Sequence, residues 1–115
     1  MTGTRPRRLL LIEDDRIVGE ALCAVIRSFG LDVSLCTNGK DALPRLRSEH
    51  FDALLTDYGL QERSGLEYAS QIHSEIPELP IMLITAWLVD FSSEALATAG
   101  VRQVLRKPVP TAEFK

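Results

Sequence analysis

Long apolar runs are missing from this 115-residue chain. Stretches such as Leu9–Ile12 and Ile81–Ile84 are four residues long, whereas a membrane-crossing helix needs about 20. A basic excess is missing too. The 13 Lys+Arg against 16 Asp+Glu leave a formal charge of −3, so no global field grips nucleic acid. Neither membrane insertion nor direct nucleic-acid binding is expected. Cysteine is scarce: Cys23 and Cys36 lack CxxC spacing, which excludes a zinc knuckle, and each lies in an apolar segment, as a reduced thiol does. The basic start, Met1 to Arg8, leads into only four apolar residues before Glu13, so it does not read as a signal peptide. A cytoplasmic protein is expected. Repeats, low-complexity tracts and linkers are absent, so residues 1–115 read as one domain with a flexible tail over 1–7.

What is present alternates. Arg8 to Glu13 reads as a buried strand. Arg16 to Phe29 reads as a helix, with Ile17, Val18, Ala21, Leu22, Val25, Ile26 and Phe29 on one stripe and Gly30 closing it. Leu31 to Cys36 is a second strand. Asn38 caps a helix to about Glu49, which Pro44 should bend or delay. Asp52 to Thr56 is a third strand ending at Asp57. A loop over Tyr58 to Ser64 leads to a helix over Gly65 to Ile76, stopped by Pro77 and Pro80. Ile81 to Thr85, a weaker helix from Asp90 to Ala99, and Val101 to Arg106 follow. Lys107-Pro108 breaks the chain, and a last helix starting near Thr111 is cut short. The alternation implies a parallel sheet with helices on both faces. Sites in such sheets lie at the carboxyl ends of the strands.

Those ends carry chemistry. The first strand ends in Glu13, Asp14 and Asp15, the third in Asp57, the fourth in Thr85 and the fifth in Lys107. Crowded carboxylates repel unless a cation joins them, and oxygen-only ligands suit a hard ion such as Mg²⁺. An Asp at a strand–loop junction can act as a nucleophile and form an aspartyl-phosphate. Gly59 lets its backbone carbonyl approach a metal. A hydroxyl at Thr85 and an ammonium at Lys107 would bond a phosphoryl group and offset its charge. Each signal is ordinary alone. An isolated acidic triplet, for example, reads equally as helix-start acids complementing a dipole.

In combination these residues resemble the receiver domain of two-component response regulators. The resemblance rests on Leu10-Leu11-Ile12-Glu13-Asp14-Asp15, on Thr56-Asp57 followed by Gly65, on Ile84-Thr85-Ala86 and on Lys107-Pro108. It implies a doubly wound five-stranded sheet of flavodoxin-like order 2-1-3-4-5. It implies that Asp57 accepts a phosphoryl group from a histidine kinase or phosphotransfer protein, with Mg²⁺ held by Asp14, Asp15, Asp57 and the Gly59 carbonyl. Thr85 and Lys107 would take the switch and charge-pairing roles. It also implies a switch rather than an enzyme, and an attached output or kinase domain. The apolar cluster of Trp87, Leu88, Val89 and Phe91 leading into the fourth helix reads either as local packing or as a surface for a partner or a homodimer at the fourth-helix face. Two positions depart from the family pattern: Leu60-Gln61 replaces a common Met-Pro, and Val104 stands where an aromatic switch residue is usual. Either the coupling is weaker without that aromatic or an apolar residue of the stretch from Trp87 to Phe91 fills its space, and the second is the favoured expectation.

Two other functions use related parts. A haloacid-dehalogenase-type phosphatase needs a second Asp two residues after the nucleophile, where this chain has Gly59. A pseudo-receiver that binds partners without phosphorylation would have no need of the full residue set. His50 and His73 read as surface histidines, and Arg5, Arg7 and Arg8 as a solvated tail.

Overall fold

The computed structural model describes residues 7–60, 63–85 and 91–106. Five strands are present among the described residues: β1 (Arg8–Ile12), β2 (Asp32–Cys36), β3 (Ala53–Asp57), β4 (Ile81–Thr85) and β5 (Val101–Arg106). They form one sheet in the order β2-β1-β3-β4-β5, and every pairing is parallel. Four α-helices among the described residues join them: α1 (Arg16–Ser28), α2 (Ala42–Ser48), α3 (Gly65–Glu75) and α4 (Ser93–Thr98). The expected doubly wound order is therefore the one observed.

The strands alternate across two cores, as the pleat requires. Leu9 and Leu11 of β1 and Leu55 of β3 pack with Cys23 and Ile26 of α1 on one face. Leu10, Ile12 and Leu54 pack with Leu43 of α2 and with Ala69 and Ile72 of α3 on the other. Each fully buried Leu or Ile contributes about 1.5–3 kcal/mol. The fifth strand breaks the alternation. Ile81 pairs with Val101 but Met82 pairs with Gln103, so one residue is skipped. The slip places Val101 and Val104 on the same core, opposite Leu105.

Local chemistry explains the helix ends. Gly30 has φ +82, the left-handed conformation that follows α1. Asn38 accepts from Lys40 N at 3.0 Å and opens a 3₁₀ turn over Gly39–Asp41, after which α2 begins. Pro44 thus falls in the first turn of α2, where its missing N–H costs nothing. The delayed start matches the expectation. Ser64 and Glu67 form a reciprocal capping box on α3. The fourth helix starts at Ser93, capped by Ser92, later than the expected Asp90. Asp90, Trp87 and the helix expected near Thr111 lie outside the described residues.

Two histidine and arginine readings change. Arg8 opens β1, as the strand expectation has it, and its side chain is not part of a solvated tail. Its guanidinium meets Glu49 Oε1 at 2.9 Å, the His50 carbonyl at 3.1 Å and the Phe51 ring at 4.5 Å, at the amino end of β1 and so opposite the acidic rim. His73 is half-buried rather than superficial. Its Nδ1 lies 2.3 Å from where a Cβ on Gly100 would stand, and it has no hydrogen-bond partner among the described residues. His50 is exposed and pairs with Asp52 at 3.0 Å. Both cysteines are buried and free, and burial pushes both thiols up.

Candidate functional site

The chain leaves β1 to build β2 on one side, then returns to build β3 on the other. The carboxyl ends of β1 and β3 therefore lie side by side at the switch in strand order, with Ile12 opposite Thr56. The next residues on each strand are acids. Glu13, Asp14 and Asp57 each offer a carboxylate oxygen, and these oxygens lie within 4.8 Å of one another. Glu13 is 2% exposed and Asp57 7%, so water cannot fully screen their repulsion. The donor set is all oxygen, with no nitrogen or sulfur, and it fits a hard divalent cation such as Mg²⁺.

The residues brought together differ from those expected in one position. The resemblance puts Asp15 beside Asp14 at the metal. Instead its Oδ1 accepts from Ile17 N at 3.0 Å and Val18 N at 3.2 Å, so it is the N-cap of α1. Glu13 takes its place in the cluster. The Glu13 stem passes α1 at Gly19, where an added Cβ would stand 3.4 Å from its Cγ. Its Oε2 also accepts the Asp15 N–H at 3.2 Å. The signal for this arrangement was in the sequence: Asp15 directly precedes Arg16 and the apolar stripe, the usual place for a cap.

Asp57 is held by its backbone neighbours. Tyr58 N donates to Ile84 O at 2.7 Å, and Tyr58 O accepts from Gly65 N at 2.8 Å. Position 65 has to be glycine, because a Cβ there would stand 1.9 Å from the Asp57 carbonyl oxygen. The start of α3 is thus pressed directly against the backbone of Asp57. Gly59 sits in the following loop, half-buried.

Thr85 ends β4 and is 1% exposed. Asp57 is opposite Ile84 and Thr85 is opposite Arg106, so Thr85 stands one residue further along the same rim. Lys107 would follow Arg106 there, but it and Pro108 lie outside the described residues.

Residues 9–115 match the response regulator receiver domain family. The chain belongs to that family. A response regulator receiver protein of Anaeromyxobacter sp. (strain Fw109-5) is 37% identical over 103 residues, covering 90% of this chain and 43% of the relative. Response regulator MprA of Mycolicibacterium vanbaalenii is 36% identical, over 95% of this chain and 47% of its own length. The transcriptional regulatory protein ZraR of Klebsiella oxytoca is 34% identical, over 88% and 23%. This receiver domain thus spans less than half the length of these relatives. Among solved structures, a CheY-like receiver domain from Methylobacillus flagellatus superposes with a TM-score of 0.85 at 22% identity, covering 96% of this chain and 93% of the other. The response regulator TrrA from Thermotoga maritima, solved in complex with Mg²⁺-BeF, superposes with a TM-score of 0.80 at 25% identity, over 88% and 86%. No helix among the described residues is long and apolar enough to cross a membrane.

Proposed function

We propose that this receiver domain carries a phosphoryl group on Asp57 and works as a cytoplasmic phosphorelay switch. The observation that carries the reading is the convergence of Glu13, Asp14 and Asp57 oxygens within 4.8 Å at the strand switch. An Asp57 carboxylate oxygen attacks the phosphorus of the donor. The new phosphorus–oxygen bond replaces the bond to the imidazole nitrogen of a kinase or phosphotransfer protein, and that nitrogen takes up a proton from water. Phosphoryl transfer is mostly positioning and charge neutralisation. Here the Tyr58 backbone bonds to Ile84 and Gly65 hold the strand end at Asp57, Thr85 one residue further along the rim would donate its hydroxyl to a phosphoryl oxygen, and Lys107 would supply a cationic partner. Glu13, Asp14, Asp57 and the Gly59 carbonyl would hold Mg²⁺, which neutralises phosphoryl oxygens when bound. The Mg²⁺-BeF complex of TrrA is consistent with that assignment.

Partners follow from the family and from the relatives' length. A sensor histidine kinase or phosphotransfer protein donates, and an output domain, a kinase domain or a second copy receives the signal at the α4 face. No residue of α4 is buried, which leaves that face available for docking.

The test is incubation with Mg²⁺ and acetyl phosphate, read on a phosphate-affinity gel. One phosphoryl group per chain should appear in the wild type and none in Asp57→Asn. An unmodified wild type would make the domain a pseudo-receiver, and label surviving in Asp57→Asn would move the site elsewhere.

A further inference from the structure

Val104 packs against the core at the position where the family resemblance expects an aromatic side chain, and a valine is short with few rotamers. The structure contains aromatic rings in contact elsewhere. The Tyr58 and Phe91 rings meet edge to face, with centroids 5.0 Å apart and planes at 71°. Both are partly buried against the core that also holds Val104, Leu83 and Ala99.

The two rings join the parts that have to communicate. Tyr58 directly follows Asp57. Its backbone is tied on both sides, its N–H to Ile84 O at 2.7 Å and its carbonyl to Gly65 N at 2.8 Å. A displacement at Asp57 or at Thr85, the neighbour of Ile84, therefore reaches Tyr58 before it can relax into the loop. Phe91 directly precedes Ser92, whose side chain caps α4 by accepting from Ala95 N at 3.0 Å. The Phe91 ring is thus one residue from the cap that opens α4. Between α3 and α4 lies an open groove of about 350 Å³, floored by Leu66, Ala95 and Ala99 and flanked by Glu67 and Glu94. One wall of the groove hangs from Gly65 and the other from Ser92, and both connect back to Tyr58.

The geometry points to the Tyr58–Phe91 pair as the element that transmits the state of Asp57 to α4 and to the α3–α4 groove, in place of an aromatic on β5. This rests on the phosphoacceptor reading given above. Tyr58 and Phe91 are positioning residues; neither touches the reacting atoms. A perturbation can shift a two-state equilibrium only through contacts that differ between the states. An edge-to-face pair is of a size to shift such an equilibrium roughly 2- to 10-fold.

The experiment compares amide NMR spectra with Mg²⁺ alone and with Mg²⁺ plus beryllofluoride, for wild type, Tyr58→Leu, Phe91→Leu and Phe91→Tyr. Phosphate incorporation from acetyl phosphate is measured on the same samples. In the wild type, beryllofluoride should move the amides of Asp57, Tyr58 and Ser92–Ala99. In Phe91→Leu and Tyr58→Leu the shifts at Asp57 and the phosphate incorporation should persist, while the α4 shifts fall roughly 2- to 10-fold. Phe91→Tyr keeps a ring and should restore them. Undiminished α4 shifts in either leucine variant would overturn the inference, as would a wild type whose α4 amides stay silent while Val104 moves. A wild type that takes no phosphate overturns the phosphoacceptor reading itself, and this inference with it. Should Phe91→Leu unfold, Tyr58→Leu decides alone. Should both unfold, Phe91→Tyr decides: it must give wild-type α4 shifts, and silent α4 amides in it overturn the inference.

Discussion

Gly65→Ala tests whether α3 is pressed against the phosphoacceptor strand as closely as described. The added Cβ would stand 1.9 Å from the Asp57 carbonyl oxygen and 2.8 Å from its carbonyl carbon. Real contacts rarely fall below about 3.0 Å, so helix and strand must part by about an ångström or more. The obstacle is backbone, and it is held by the Tyr58 N–H to Ile84 O bond at 2.7 Å. Overpacking of this kind costs about 1–3 kcal/mol. Alanine regains up to about 1 kcal/mol of helix propensity, less at a first-turn position. The net loss expected is about 1–2 kcal/mol, or a fall in Tm of roughly 4–10 °C for a chain of this size. Asp57 is displaced by the same movement, so phosphorylation by acetyl phosphate should also slow. Gly19→Ala is the control. Its Cβ would stand 2.6 Å from Leu35 Cδ1, the end of a side chain that can turn away, and it lies inside α1. Its stability should stay within about 1 kcal/mol of wild type. Thermal unfolding followed by circular dichroism measures both. A Gly65→Ala protein as stable as wild type and phosphorylated at the same rate would refute the reasoning.

Asp14→Ala should weaken Mg²⁺ binding at least about tenfold, since even indirect partners of a metal site are worth that much. Asp15→Ala should leave Mg²⁺ affinity nearly unchanged and cost about 1 kcal/mol from the lost cap; Mg²⁺ titration and urea unfolding of both variants would expose the reverse pattern. Hydrogen bonds from Arg45 and then Arg8 hold Glu49 below its ordinary value of 4.5. A carboxylate lowered in the folded state stabilises above its unfolded value, so this contribution is present at pH 7 and lost as pH falls below about 4.5. Glu49→Gln should accordingly be less stable than wild type at pH 7, and urea midpoints at pH 3 should show the gap closing. Burial raises the thiols of Cys23 and Cys36, and Cys36 also donates to Asn38 O at 2.9 Å. Both should react with a thiol reagent at pH 8 only at the rate the fold opens, and fast labelling of the native protein would contradict their burial.

Much of this molecule is legible from residue order. The apolar runs at Leu9–Ile12 and Ile81–Ile84, the stripe from Ile17 to Phe29 and the closing Gly30 define strands and a helix by local periodicity, which needs no partner to be read. Alternation of such elements leaves the parallel sheet as the economical solution, and its switch point brings Asp57 toward the acids after β1. The cap at Asp15 is legible locally, but which of its neighbours reach Asp57 depends on the fold. Glu13, Asp14 and Asp15 are consecutive and chemically alike, and only the point where α1 begins sends Asp15 to the helix amides and leaves Glu13 to Asp57. The skipped residue between Val101 and Gln103 is likewise invisible in the sequence, yet it decides that Val104 faces the core of Tyr58 and Phe91. The Gly65 contact with Asp57 and the Tyr58–Phe91 ring pair are set by packing between segments distant in the chain. Periodicity reports what each segment can form. Which atoms touch depends on the space that all the segments leave one another, and that appears only when the chain is folded.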